Sequence, residues 1–148
     1  MTTIAYRDGV IAYDSRLSED DLIISDSYNK CFINTINKVN TYIFFAGTVV
    51  LVPVLIEMLE GPLLAQAPGE LEALVWTGEE LAWAGISEGY YFKMNLELDS
   101  PFVIGSGKHH AYTVFDMGGD AITAVKMAAK RDKNTGGIIN SFSLWDRS

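Results

Sequence analysis

The chain reads as an α+β protein in which helices stack outside antiparallel sheets, an αββα sandwich being one such arrangement. Three observations carry this reading. Two hairpin patterns follow one another before Ala46. One apolar helical stretch comes next, and then a run of further strands. Two helices follow those strands, and a single strand closes the chain. With 148 residues, 49% of them hydrophobic and 20% charged, the composition fits a single domain over 1–148 with room for a sizeable core.

Thr2 to Tyr6 and Val10 to Asp14 are rich in β-branched and aromatic residues, and Asp8-Gly9 between them is a primed-turn signal. This hairpin puts Thr2 at the start of one strand, close to Asp14 at the end of the other. Ser15 to Asp21 is polar and is expected as a loop. Leu22-Ile23-Ile24 starts a short strand. Asn29 to Ile36 and Thr41 to Phe45 form a second hairpin around Asn37-Lys38-Val39-Asn40.

Tyr42 to Leu59 is apolar and about as long as a membrane span, ~20 residues. Gly47, Pro53 and Glu57 interrupt it, and it opens with β-formers. A strand, a glycine turn and a helix apolar on nearly every side fit it better. Thr48 is a candidate N-cap. Pro53 requires the helix to start near Val52 or to kink, and Gly61-Pro62 ends it. Pro62 to Gly69 is a linker. Leu74 to Thr77, Leu81 to Ser87 and Tyr90 to Leu96 read as strands. Pro101 to Ile104 is a short strand running into Gly105-Ser106-Gly107. Helices follow over about Lys108 to Met117 and Ala121 to Lys130, the second capped by Asp120 and carrying Ile122, Val125, Ala128 and Ala129 on one side. Asp132 to Gly137 is a turn, and Gly137 to Trp145 a last strand.

A net charge of −8 makes nucleic acid and anionic membranes poor partners, since both select basic patches. Cys31 is the single cysteine, so no intrachain disulfide forms, which fits a reducing compartment. The first residues lack a basic segment followed by an apolar one, so they are not expected to act as a signal peptide. A cytoplasmic location is expected.

A threonine hydroxyl is a weak nucleophile that needs a nearby base. A free α-amine on the same residue supplies one, with a pKa of about 8. Thr2 can play this part if Met1 is removed, and the small side chain of Thr2 favours removal. On its own, Met-Thr-Thr is an ordinary strand start. Lys30 opens the apolar strand NKCFI. It is either a solvated strand-end lysine or, if it points inward, an ammonium that needs a counter-charge such as Asp14. A lysine beside the Thr2 hydroxyl would stabilise the developing alkoxide. Gly47 is either a plain turn glycine or a backbone donor at a helix N-terminus, facing an oxyanion. Gly105-Ser106-Gly107-Lys108 lacks the spacing of a nucleotide-binding loop and reads as a small turn approaching the active centre. Arg131 to Gly137 is by itself a turn after a helix. His109 and His110 are helix neighbours that share no face, which argues against a metal site. Cys31 alternates with Lys30 and reads as packing.

Together these pieces resemble the proteasome β-subunit and bacterial HslV peptidase family of N-terminal nucleophile hydrolases. TTIAYRDGVIAYDSR is similar to the family's opening, a Thr-Thr strand, a glycine turn and a strand ending in Asp-Ser-Arg. The sixteen-residue step from Asp14 to Lys30 matches the family's aspartate–lysine spacing. FAGT resembles the alanine–glycine turn that supplies an oxyanion N–H. VIGSGKHHAY resembles the late Gly-Ser-Gly turn that opens a helix, and AAKRDKNTGG the Arg-Asp-x-x-Ser/Thr-Gly-Gly turn. The matches run from Thr2 to about Ile139.

The resemblance implies a four-layer αββα sandwich of two antiparallel sheets and a threonine endopeptidase that works through an acyl ester, without metal or organic cofactor. Thr2 would be the nucleophile, Lys30 would tune its hydroxyl and Asp14 would hold Lys30. The Gly47 N–H would bind the oxyanion. Ser106, Asp132 and Thr135 would hold the N-terminus and its proton-relay water. The substrate would be a peptide or unfolded polypeptide, with a homo-oligomer, a ring among the options, and an ATP-dependent unfoldase as partners. Two alternatives stand beside the peptidase for this chain: a catalytically silent proteasome-like scaffold or interaction subunit, and an amidohydrolase acting on a small amide. The chain departs from the family pattern in three places. Its first hairpin is shorter by about four residues, an even step that keeps the strand faces in phase. Pro53 interrupts the first helix. Only Pro62 to Glu70 stands where the family has a second long helix, which implies a shortened helical layer.

Overall fold

A computed structural model of the chain describes residues 2–61 and 69–145. It divides into two compact units, one drawn from Met1–Lys30 with Glu97–Ser148 and the other from Cys31–Leu96.

The first unit is built on a four-stranded antiparallel sheet. Its strands are β1 (Thr3–Arg7), β2 (Val10–Tyr13), β10 (Phe102–Gly105) and β11 (Asn140–Ser143), in the order β10-β1-β2-β11. Asp8 (φ 50°) and Gly9 (φ 81°) turn β1 into β2 as the primed-turn reading requires. Thr3 pairs with Gly105 across one edge of β1, and Ile4 with Tyr13 across the other. The last strand covers only the middle of the expected Gly137–Trp145 run.

Helices α2 (Lys108–Asp116) and α3 (Ala121–Arg131) pack on one face of this sheet. Strand alternation selects the small side chains Ala5 and Ala12, with Val103, for that face. They bury against Ala111, Phe115, Ala121, Ala124 and Val125. Alanines on both sides let helix and strand backbones approach closely. Asp120 caps α3 by accepting a bond from the Thr123 N–H at 2.8 Å. Arg7 Nη1 donates to the carbonyls of Phe115 (2.9 Å) and Gly119 (3.0 Å), satisfying acceptors at and beyond the C-terminal end of α2.

Ser15 to Asp21 is not a loop throughout. Leu17–Glu19 forms β3, which pairs with β4 (Leu22–Ser25) as a separate two-stranded ribbon turning at Asp20 (φ 52°). No residue of either strand is fully buried. The apolar alternation that betrays a half-buried strand is therefore missing from β3.

The second unit is a five-stranded antiparallel meander. It runs β5 (Cys31–Ile36), β6 (Val39–Gly47), β7 (Leu71–Trp76), β8 (Leu81–Ser87) and β9 (Tyr90–Asn95), neighbours in sequence order. Asn37 (φ 50°) and Lys38 (φ 69°) make a two-residue turn, tighter than the expected four. β7 begins at Leu71, three residues before the expected start, because Leu71 pairs with both Gly47 and Ile86.

After β6 a 3-10 turn (Val49–Leu51) leads into α1 (Val52–Glu60), so Pro53 sits in the first turn, where a missing N–H costs nothing. The Thr48 side chain makes no capping bond. α1 buries the stripe Val52, Leu55 and Met58 and exposes Pro53, Glu57 and Glu60. One side is thus buried, and the other carries exposed positions. Its end lies at Gly61, whose N–H reaches Glu57 O at 3.1 Å. The expected linker beyond, and with it the shortened helical layer, falls on residues 62–68, outside the described ones. Among the described residues no helix is long and apolar enough to cross a membrane.

Candidate active site

Thr2 precedes β1, Asp14 follows β2, and Ser106 follows β10. The register of three adjacent strands therefore brings these residues to one end of the sheet. Gly105 adopts φ +100°, and a side chain there would meet Thr2 O at 2.0 Å. This glycine permits the close approach of the Gly105-Ser106-Gly107 turn to the first residues of the chain.

Lys30 points inward. Its Nζ donates to Thr2 Oγ1 and to Asp14 Oδ1, the latter at 2.8 Å. Thr2, Asp14 and Lys30 are all buried, Lys30 only 4% exposed. Asp14 is held from several sides. Its Oδ1 accepts from the Thr3 N–H (3.4 Å), and its Oδ2 from the N–H groups of Gly136 (2.9 Å) and Arg16 (3.4 Å). Burial pushes the Lys30 ammonium below the usual lysine value, while the charge of Asp14 works against that shift. Burial likewise pushes Asp14 up, against the Lys30 charge and the Gly136 N–H. Each partner thus offsets part of the penalty that burial places on the other's charge.

A second chain of contacts lies alongside. Ser106 Oγ donates to Asp132 Oδ2 at 2.5 Å and lies 3.3 Å from Thr2 O. The Thr135 hydroxyl donates to the same carboxylate oxygen at 2.7 Å. Having spent its one proton there, Thr135 Oγ1 accepts from Thr3 Oγ1, 2.7 Å away. The Asn134 N–H binds Asp132 Oδ1 at 3.1 Å. Partial burial works to raise the Asp132 pKa, but the bonds from Ser106, Thr135 and Asn134 outweigh it and leave this carboxylate below its usual value.

The structure thus brings together Thr2, Asp14, Lys30, Ser106, Asp132 and Thr135. Gly47 belongs to the other unit, where it ends β6 at φ +120°, with a side chain excluded by Glu70 O at 2.6 Å. A 3-10 turn, rather than the α-helix itself, follows it. His109 and His110 are exposed on α2, and no group of three or more potential metal ligands occurs among the described residues. Burial raises the Cys31 thiol to about 11, which makes it a poor nucleophile. Met1 lies outside the described residues.

Four residues that the sequence motifs contain, without a role of their own there, help build this site. Thr3 closes the Thr135 contact, and Gly107 leaves room for it: a side chain at Gly107 would stand 2.1 Å from Thr3 Oγ1. Ser15 and Arg16 fasten the turn that carries Asp132 and Thr135. The pairing Asp14-Ser15-Arg16 was visible as a strand end, but the partners of its last two residues are distant in sequence.

No protein-family model and no curated protein sequence matches the chain. Solved structures do resemble it across nearly its whole length. The eukaryotic HslV from Trypanosoma brucei aligns with a TM-score of 0.62 at 19% identity, covering 95% of this chain and 97% of that one. The BPH protein of Thiobacillus denitrificans, solved in complex with epoxomicin, aligns at 0.60 with 14% identity over 98% and 99%. Anbu, an ancestral β-subunit from Yersinia bercovieri, aligns at 0.62 with 14% identity over 96% and 80%. The mixed α and β chain, with its antiparallel sheets and few helices, therefore has an HslV-like fold.

Proposed function

We propose that this chain is a single-domain threonine peptidase of the proteasome and HslV type. The observation that carries the reading is the Lys30 ammonium, which donates to the Thr2 hydroxyl while buried against Asp14. A solvated strand-end lysine would do neither. Removal of Met1 frees the α-amine of Thr2. That amine accepts the hydroxyl proton as Oγ1 attacks the peptide carbonyl carbon. Lys30 stabilises the developing alkoxide. The Gly47 N–H receives the oxyanion. The amine then passes its proton to the leaving nitrogen as the C–N bond breaks, which leaves an ester on Thr2. Water, with the same amine as base, hydrolyses the ester and restores the hydroxyl.

Ser106 and Thr135, joined through Asp132, hold the start of the chain in place through Thr2 O and Thr3 Oγ1, and on this reading they would also hold a proton-relay water. Thr2, Lys30 and Asp14 suffice for the chemistry without a cofactor. The substrate on this reading is a peptide or unfolded polypeptide, the protein works in the cytoplasm as a homo-oligomer, and an ATP-dependent unfoldase is a candidate partner.

The test is the intact mass of purified protein before and after a peptide epoxyketone, a reagent that needs both the hydroxyl and a free α-amine. A starting mass lacking methionine and a single adduct, lost in Thr2→Ala, is the expected result. Peptide cleavage that persists in Thr2→Ala would sink the assignment.

A further inference from the structure

Two stretches distant in sequence deliver the residues around Thr2. Residues 26–30 deliver Lys30, and residues 132–138 deliver Asp132 and Thr135. Three consecutive residues, Asp14, Ser15 and Arg16, bind to both. Asp14 Oδ2 accepts from the Gly136 N–H, and the Ser15 N–H donates to Gly136 O at 3.1 Å. The Ser15 hydroxyl lies 2.9 Å from Asp26 O and 2.7 Å from Ile138 O, while Ser15 O accepts from the Tyr28 N–H at 2.9 Å.

Arg16 completes the set. Its Nε and Nη2 grip the Asp26 carboxylate at 2.8 and 3.2 Å, and its Nη1 donates to Lys133 O at 3.0 Å. One planar guanidinium therefore ties a residue four before Lys30 to a residue two before Thr135. The fit is close, since a side chain on Gly136 would stand 2.5 Å from Arg16 Cζ. Bidentate geometry of this kind fixes direction as well as distance. An exposed ion pair adds little to stability. Its value here lies in alignment, because small displacements of positioned groups can cost up to about 100-fold in rate.

We infer that Arg16 and Asp26 form a positioning clamp that sets Lys30 and Thr135 against the first two threonines. This rests on the peptidase reading for its effect on rate, though not for its effect on the turn. Asp26 is partly exposed, so Asp26→Asn folds while losing the charge-assisted grip, and Asp26→Glu keeps the carboxylate. Two measurements test the clamp: hydrogen–deuterium exchange of the backbone amides at 133–138, and the saturation kinetics of Thr2 labelling by a peptide epoxyketone.

In Asp26→Asn, exchange at 133–138 should quicken while α3 is unchanged. The limiting labelling rate should fall about 10-fold, with the half-saturating concentration unaltered. Asp26→Glu should recover most of both. Unchanged exchange in Asp26→Asn overturns the clamp whatever the labelling shows. Faster exchange with wild-type labelling overturns its role in positioning. A wild-type protein that does not label defeats the peptidase reading instead, and the exchange measurement then decides the clamp alone.

Discussion

Lys30 Nζ stands 2.8 Å from Asp14 Oδ1, and both side chains are buried. Removing one member of such a pair strands the other charge without water. Asp14→Ala should therefore cost about 3–5 kcal/mol, far more than loss of a surface pair. Urea unfolding gives the number. The double variant Asp14→Ala with Lys30→Met should lose much less than the sum of the single losses, and additive losses would mean that the two side chains do not depend on each other.

Three donors keep Asp132 ionised below the usual carboxylate range. A folded-state pKa lowered in this way contributes stability that is present above the unfolded value and lost as pH falls through the folded one. Ser106→Ala removes one donor, so the Asp132 titration should move to higher pH, and the acid loss of stability with it. Carboxyl carbon NMR of the two proteins measures the shift. A midpoint that stays put or moves down would show that Ser106 does not stabilise this charge.

Gly107 has an ordinary backbone, φ −92°, so a side chain there is not strained by its torsion angles. It is excluded by contact instead, at 2.1 Å from Thr3 Oγ1, 2.9 Å from Ala128 Cβ and 3.3 Å from Thr135 Oγ1. Gly107→Ala should cost about 1–3 kcal/mol through overpacking and slow Thr2 labelling as well. Gly118→Ala is the matched comparison: φ is +88° and nothing lies within 4 Å, so any loss is conformational and labelling should not change. Thermal unfolding together with labelling separates the two cases.

Asp120→Ala removes the α3 cap and should cost about 0.5–2 kcal/mol. The cap lies at the opposite end of α3 from Asp132, so labelling at saturating epoxyketone should match wild type. A labelling loss on the scale expected for Gly107→Ala would show that the whole helix, rather than its following turn, sets the site.

Much of this was legible in the chain because local chemistry and long-range pairing agree. Asp8-Gly9 encodes its turn by backbone preference alone, and that turn already places Thr2 near Asp14. Pro53 marks the start of α1 because proline tolerates only the first turn. What stayed hidden depends on contacts rather than composition. β3 carries no apolar rhythm because it buries neither face fully. The inward turn of Lys30 was one of two open readings, and only the burial of Asp14 beside it decides between them. Nothing local to Arg16 or Asp26 announces their pairing, which exists only once the fold sets them against the turn at Lys133.

Thr2 and Thr3 are chemically identical, yet one meets an ammonium and the other a hydroxyl network. Nothing in their side chains distinguishes them. The assignment is made by parity: successive residues along an extended chain point to opposite sides, and the pairing of Thr3 with Gly105 fixes which residue is odd and which is even. The sheet works as a ruler whose zero mark is the β10 edge. Deleting a single residue inside β1 would shift both threonines one place along the strand, turning Thr2 to the side that Thr3 now faces and leaving its own place to another residue, whereas deleting two would return the same side with new occupants. The specificity of this corner of the protein is thus a property of counting, kept by the hydrogen bonds of one strand pair.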